Sequence, residues 1–238
     1  MDFFNKSEQS ILLNAENIIV GFSGGVDSTL VLAATNQFLE AHNKKNCLTA
    51  LHVNHQTQSD SSSWQIHCEK FCKEHNINFL CKSVEIKESG QGYEAAARSA
   101  RLDIFNAFDE ATVIILGHHL DDQVETVFFR VLRGTGLKGL TGMQRHLKIK
   151  DKDFIRPLLH LTKEEIFKQA IEYKLSFIED QSNTDNAYSR NFLRNEIIPQ
   201  ISKRWPGAKK NTARMANLLA KQSSLYHRFL LERLANVC

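Results

Sequence analysis

Four short apolar runs, at residues 17–22, 47–54, 78–86 and 112–117, alternate with helix-length segments at 27–42, 61–75, 93–110 and 121–133. Strands that alternate with such helices form a parallel sheet, because each strand needs a crossover that returns the chain to the same end. Right-handed crossovers then cover both faces of the sheet. The expected fold is α/β, a doubly wound and mostly parallel sheet with helices on both faces. Ligands of such sheets bind beyond the carboxyl ends of the strands. Ser23–Ser28 follows the first run, His52–His55 ends the second, and Gly117–Asp122 follows the fourth. Residues 90–101 lie between the third and fourth runs, so all four stretches are expected at one crevice.

The rest of the chain is less regular. Residues 134–160 are Gly-rich, then basic, then apolar up to Pro157, and read as a connection. Thr162 is expected to cap a helix at 163–175, with Glu165 completing a capping box. Residues 179–195 are polar and turn-rich. Beyond Pro199, residues 208–236 read as one long helix with no stop signal.

Charge is divided unevenly. Residues 1–129 carry 9 Lys+Arg against 17 Asp+Glu, whereas residues 130–214 carry 18 against 9. A basic segment of net +9 points to a polyanion such as tRNA, with solvated helix faces as the plain alternative. No run of 18 apolar residues is present, so no transmembrane helix is expected. The N-terminus lacks the order of a signal peptide. The five cysteines follow no disulfide framework, which suits a reducing cytoplasm. Cys68 and Cys72, four apart, read as half-buried helix residues rather than metal ligands.

Ser23-Gly24-Gly25-Val26-Asp27-Ser28 joins the first strand to the first helix. Adjacent glycines let backbone N–H groups approach a ligand, and the helix dipole favours an anion there. The common kinase P-loop pattern is absent. A carboxylate beside a phosphate nest repels the ligand unless a cation lies between them, so Asp27 reads as a Mg²⁺ or pyrophosphate-positioning residue.

This stretch resembles the SGGxDS loop of the PP-loop ATP-pyrophosphatase superfamily, whose members split ATP between the α- and β-phosphates. Four further stretches narrow the resemblance. They are Glu94–Arg101 (EAAARSAR), Gly117–Thr126 (GHHLDDQVET), Arg133–Met143 (RGTGLKGLTGM) and Glu179–Arg194 (EDQSNTDNAYSRNFLR). Together they resemble the tRNA(Ile)-lysidine synthase family, from about residue 17 to at least 214. The second strand resembles that family's HVNHxLR pattern, but Gln56-Thr57-Gln58 follows His55, so the Leu-Arg part is missing.

The resemblance implies an enzyme that joins free L-lysine to C2 of the first anticodon cytidine of a CAU-bearing isoleucine tRNA. ATP adenylylates the C2 oxygen, and AMP and diphosphate are the by-products. It implies Asp27 and Arg98 as catalytic residues, with Mg²⁺ held by Asp27 and the ATP phosphates. It implies ATP contacts at Ser23, Gly24, Gly25, Val26, Asp27, Ser28, His52, Val53 and Gly117. Asp122 and Glu125 lie i, i+3 on one helix face and would hold a lysine ammonium, with Asp121 off that face as the helix cap. Arg133, Lys138, Arg190, Asn191 and Arg194 would meet tRNA. So would other basic residues that flank the Gly-rich stretch, Arg130, Arg145, Lys152 and Arg156 among them. Residues 1–203 are the expected catalytic domain and 204–238 a helical linker toward further C-terminal tRNA-binding domains. A homodimer is compatible with this reading, and the location is cytoplasmic. The rivals are a thiolase-type tRNA-modifying enzyme, which would want a CxxC cluster, and a nucleotide- or tRNA-binding module without activity as this fragment.

Overall fold

The computed structural model describes residues 1, 3–54, 61–84, 93–109, 111–179 and 189–235, without the side chains of 61, 62, 93–95, 97, 98, 234 and 235. In chain order the elements begin with α1 (Lys6–Asn14), β1 (Ile18–Gly21), α2 (Val26–Ala41), β2 (Leu48–Asn54), α3 (Ser61–Glu74) and β3 (Asn78–Ser83). Next come α4 (Tyr93–Asn106), β4 (Val113–Ile115), α5 (Leu120–Leu132), α6 (Leu137–Leu140), β5 (His146–Ile149) and β6 (Lys152–Ile155). The chain ends with α7 (Lys163–Glu172), α8 (Ser189–Phe192), a π-helical segment (Leu193–Ile197), α9 (Ile198–Arg204) and α10 (Ala208–Ala235).

The six strands form one sheet in the order β3-β2-β1-β4-β6-β5. All neighbours are parallel except β5, which pairs antiparallel with β6 at the edge. The chain reverses direction across the sheet between β1 and β4. Such a switch point opens a crevice at the carboxyl ends of those two strands. The mostly parallel α/β expectation holds. The β5–β6 hairpin was not anticipated: its two-residue turn is Lys150-Asp151, with Lys150 at φ 53, and lacks the usual glycine or asparagine signal. Lysines on this edge discourage pairing with another sheet. The helix α1 was also missed, although Asn5 and Glu8 close a capping box at its start.

The described chain divides into two compact units. The first comprises residues 1–117, 145–158 and 164–179 and contains the whole sheet. Ile18, Ile19 and Val20 alternate across β1 and all are buried, so both of its faces are covered. On one face Ile19, Leu51, Ile114 and Phe154 of the four central strands pack with Phe105 of α4. Arg145 reaches the buried Glu8 of α1 with a two-bonded ion pair of 2.6 and 2.8 Å. The second unit comprises residues 118–144, 159–163 and 180–238. Its core joins Leu120 and Val124 of α5 to Leu193 and Ile198. In this unit α10 packs on α5 and α6, and its Ala216 is fully buried. No described helix is long and apolar enough to cross a membrane.

Candidate functional site

The turn after β1 is held from inside. Gly24 sits at φ 85, a conformation that favours glycine, and an added Cβ would stand 3.0 Å from the Sγ of Cys68. The Ser28 hydroxyl donates to the Gly25 carbonyl at 2.9 Å and accepts the Ser23 N–H at 3.2 Å. Thr29 donates to the Gly25 carbonyl at 3.0 Å. The Ile178 N–H binds the Gly24 carbonyl at 2.9 Å and forms a parallel bridge to Gly25. The serines thus brace the turn, and Ile178 is an anchor that sequence reasoning missed. Gly25 starts α2 without a side-chain cap, an arrangement suited to an anion. Asp27 lies in the first turn of α2 and is half-buried.

Three other expected nucleotide residues belong to the same unit. An added Cβ on Gly117 would lie 3.0 Å from the backbone carbon and oxygen of Asp27 and 3.1 Å from the Ser28 nitrogen. The exit of β4 therefore touches the start of α2, as the switch point requires. Backbone atoms do not yield cheaply, so Gly117→Ala should cost about 1–3 kcal/mol of stability. An unchanged denaturant midpoint would refute that contact. His52 is buried, with Nδ1 at 3.0 Å from the Phe22 carbonyl, so it ties β2 to the end of β1. Burial lowers its pKa, against the opposing pull of that hydrogen bond. Val53 packs against the sheet core at the carboxyl end of β2. Arg98 lies on α4, but its side chain falls outside the described residues, as do His55 and Asp180–Tyr188.

In the second unit the two expected carboxylates meet on one cation. Arg194 Nε donates to Glu125 Oε1 at 2.6 Å, and its Nη2 donates to Oε2 at 2.9 Å and to Asp122 Oδ1 at 3.3 Å. Glu125 is only 1% exposed. Burial raises its pKa and Asp122 adds to that, while Arg194 pulls it down. Arg194 stands in the π-helical segment, a distortion that often marks functional positions.

The capping expectation needs correction. Asp122, not Asp121, accepts the N–H of His119 at the start of α5, at 3.0 Å. Asp121 instead accepts the Lys163 N–H at 2.8 Å and the Lys209 ammonium at 2.5 Å. These partners outweigh burial and hold its pKa below the usual carboxylate value. Three-residue spacing from the N-cap explains the choice, because it lets a side chain reach back to that N–H.

The Gly-rich stretch is anchored at several points. Gln123 clamps both backbone groups of Met143, at 2.9 and 2.6 Å. Arg130 donates to the carbonyls of Gly139 and Gly142, at 2.9 and 3.0 Å. Several basic residues that were expected to meet tRNA instead serve the fold. Arg130 ties this loop, Arg145 pairs with Glu8, Lys152 reaches the Asn106 carbonyl, and Arg156 is buried. Arg133 is exposed, with its guanidinium 4.2 Å from the centre of the Phe129 ring; Arg190 lies 5.6 Å from the same ring. Lys138 is exposed on α6, and Asn191 lies on α8.

Cys68 and Cys72 are fully buried on α3 rather than half-buried, and burial pushes both thiols up to about 12. Such thiols are poor ligands and poor nucleophiles. No group of three His, Cys, Asp or Glu side chains with metal-binding geometry occurs among the described residues. Asp27 is the candidate holder of a hard cation, which would share its coordination with phosphate oxygens, as Mg²⁺ usually does.

Comparison with known proteins extends this picture. The model of the PP-loop domain family matches residues 2–201. The chain is 38% identical over 226 residues to the tRNA(Ile)-lysidine synthase of Escherichia coli O157:H7, covering 94% of this chain and 52% of that protein. It is 40% identical over 202 residues to the tRNA(Ile)-lysidine synthase of Legionella pneumophila (strain Lens), covering 84% and 46%. The chain thus spans about half the length of the curated relatives it matches. Among solved structures, the U34-tRNA thiolase NcsA from Methanococcus maripaludis, with its 4Fe-4S cluster, matches at a TM-score of 0.66. That match covers 90% of this chain and 78% of the other at 20% identity, so the likeness is one of fold.

Proposed function

The chain belongs to the PP-loop domain family, and from that premise we propose that it carries the catalytic part of a tRNA(Ile)-lysidine synthase. The reaction joins free L-lysine to C2 of the first anticodon cytidine of a CAU-bearing isoleucine tRNA, at the expense of ATP. The observation that carries this reading is the convergence of Asp122 and Glu125 on a single cation, at 2.6 to 3.3 Å. A substrate ammonium needs such a paired carboxylate seat, and the ammonium of lysine would exchange with the Arg194 guanidinium there.

The chemistry runs in two balanced steps. The C2 oxygen attacks the α-phosphorus of ATP, and the bond to the β-phosphate breaks to release diphosphate. The ε-amine of lysine, having lost its proton, then attacks C2, and the C2–O bond breaks to release AMP. The turn at Ser23–Ser28 would cradle the β- and γ-phosphates through its backbone. Asp27 would hold Mg²⁺ against them, which would neutralise phosphate charge. His52, Val53 and Gly117, at the carboxyl ends of β2 and β4, would border the nucleoside. Arg98 would stabilise charge on the α-phosphate, a role its guanidinium suits. Residues 1–203 would form the catalytic domain and 204–238 the connection toward further tRNA-binding domains, although Lys209 and Ala216 of that connection already pack into the second unit. A cytoplasmic location would give access to ATP and tRNA. The buried, high-pKa thiols on α3 offer no support for thiolase chemistry.

AMP release from α-labelled ATP tests the proposal, with lysine and a CAU isoleucine tRNA transcript supplied singly, together or not at all. Release that needs the tRNA, with labelled lysine ending in the RNA, is the expected result. AMP release without RNA, or transfer of another group to it, would overturn the assignment.

A further inference from the structure

A cleft in the second unit lies between α5 and the helical stretch 189–197. Its volume is about 570 Å³, within the ~300–1,000 Å³ of small-ligand sites. Phe129, Leu132, Arg133, Phe192, Leu193 and Ile197 line it, and among the described residues no acidic side chain does. Leu132 is 71% exposed and Phe192 46%, so this apolar surface opens to solvent.

Resting on the tRNA reading above, we infer that this cleft is a stacking pocket for one unpaired base of the anticodon loop. Three features select that occupant. The Phe129 ring faces the Arg133 guanidinium at 4.2 Å, and Arg190 approaches the same ring at 5.6 Å. Aromatic rings and guanidinium planes are the surfaces on which unstacked RNA bases lie. The second unit itself carries 14 Lys+Arg against 7 Asp+Glu, a balance that suits a polyanion rather than an apolar peptide. The third feature is position along α5. Asp122, Glu125, Phe129 and Arg133 follow one stripe of the helix, and Glu125 to Phe129 spans about 6 Å of its axis. The facing residues Arg194 and Arg190, also four apart, meet Glu125 and Phe129 respectively. A base in the cleft would thus lie one helical turn from the carboxylate pair.

The test uses the whole chain, an RNA hairpin with a CAU anticodon loop, and a fully paired RNA duplex of equal length. Phe129→Leu keeps apolar volume but removes the ring; Phe192→Ser alters the exposed wall. Each variant should bind the hairpin about tenfold more weakly, with duplex affinity unchanged and melting within a few degrees of the parent. Abasic substitution in the loop should reproduce that loss at one position, and Phe129→Leu should add nothing to it. Unchanged hairpin affinity in both variants, or equal loss on hairpin and duplex, overturns the pocket. Loss of self-association with hairpin binding intact would overturn it too, making a second copy the occupant. If the parent chain binds neither RNA, the tRNA reading itself falls, and the pocket with it.

Discussion

Asp27→Asn should lower AMP formation by about 10²–10³-fold, the loss typical of removing one electrostatic contact at a reacting centre. The fold should survive, because Asp27 is half-buried in the first turn of α2 and lies outside the sheet core. The more telling result concerns the sign of a binding effect. A carboxylate beside a phosphate nest repels metal-free ATP and attracts Mg²⁺-ATP. The variant should therefore bind ATP more tightly than the parent in the presence of a chelator, and more weakly with Mg²⁺ added. Calorimetric titration in both conditions reads this directly. A variant whose ATP affinity responds to Mg²⁺ as the parent's does would exclude Asp27 as the metal-positioning residue.

Arg194→Ala should have the second large effect, on stability and on lysine together. It leaves Glu125 buried without its bidentate partner. Breaking a buried pair costs about 3–5 kcal/mol. The Arg194 side chain is 37% exposed, so a loss of about 2–3 kcal/mol is expected, or roughly 4–12 °C in melting temperature. Burial already raises the Glu125 pKa, and removing Arg194 removes the influence that pulls it down. The folded-state pKa then stands further above that of the unfolded chain. Stability is retained below the unfolded pKa and lost as pH rises through the folded one. The gap to the parent should accordingly be widest near neutral pH and narrow toward pH 5. Free lysine should raise the melting temperature of the variant more than that of the parent, because its ammonium can take the vacated seat. A gap that is flat with pH would remove the unpaired-carboxylate account. A variant unmoved by lysine would remove Asp122 and Glu125 as its site.

Parts of this molecule were legible because they depend on local spacing. The three-residue interval from Asp122 to Glu125 puts both acids on one helix face, whatever lies opposite. The run from Ile18 to Ser28 specifies strand, turn and helix within a dozen residues, and Gly24 at φ 85 shows why a glycine is needed there. What was misread depends on partners distant in sequence. Nothing near Arg145 announces Glu8, which lies 137 residues away. Nothing near Arg130 says that its charge will be spent on loop carbonyls. Basic residues were therefore counted as surface when several are internal fasteners. The Asp121 error is of the same kind, since Lys163 and Lys209 compete for a carboxylate that local geometry would assign to its own helix. The β5–β6 hairpin escaped notice because its edge strand is only four residues long and mostly exposed, and its turn has no glycine.

By itself the sequence determined the parallel α/β class, the glycine turn between β1 and α2, and the helix that bears the paired acids. Those follow from periodicity and from backbone freedom at a few residues, which act over one or two turns of chain. Only the tertiary structure decided that Ile178 clamps the turn and that Gly117 meets the start of α2. It also decided that Arg194 occupies the carboxylate pair and that Phe129 faces two guanidiniums. Each of these is a contact across many residues, where long-range packing and desolvation, not local propensity, choose the partner.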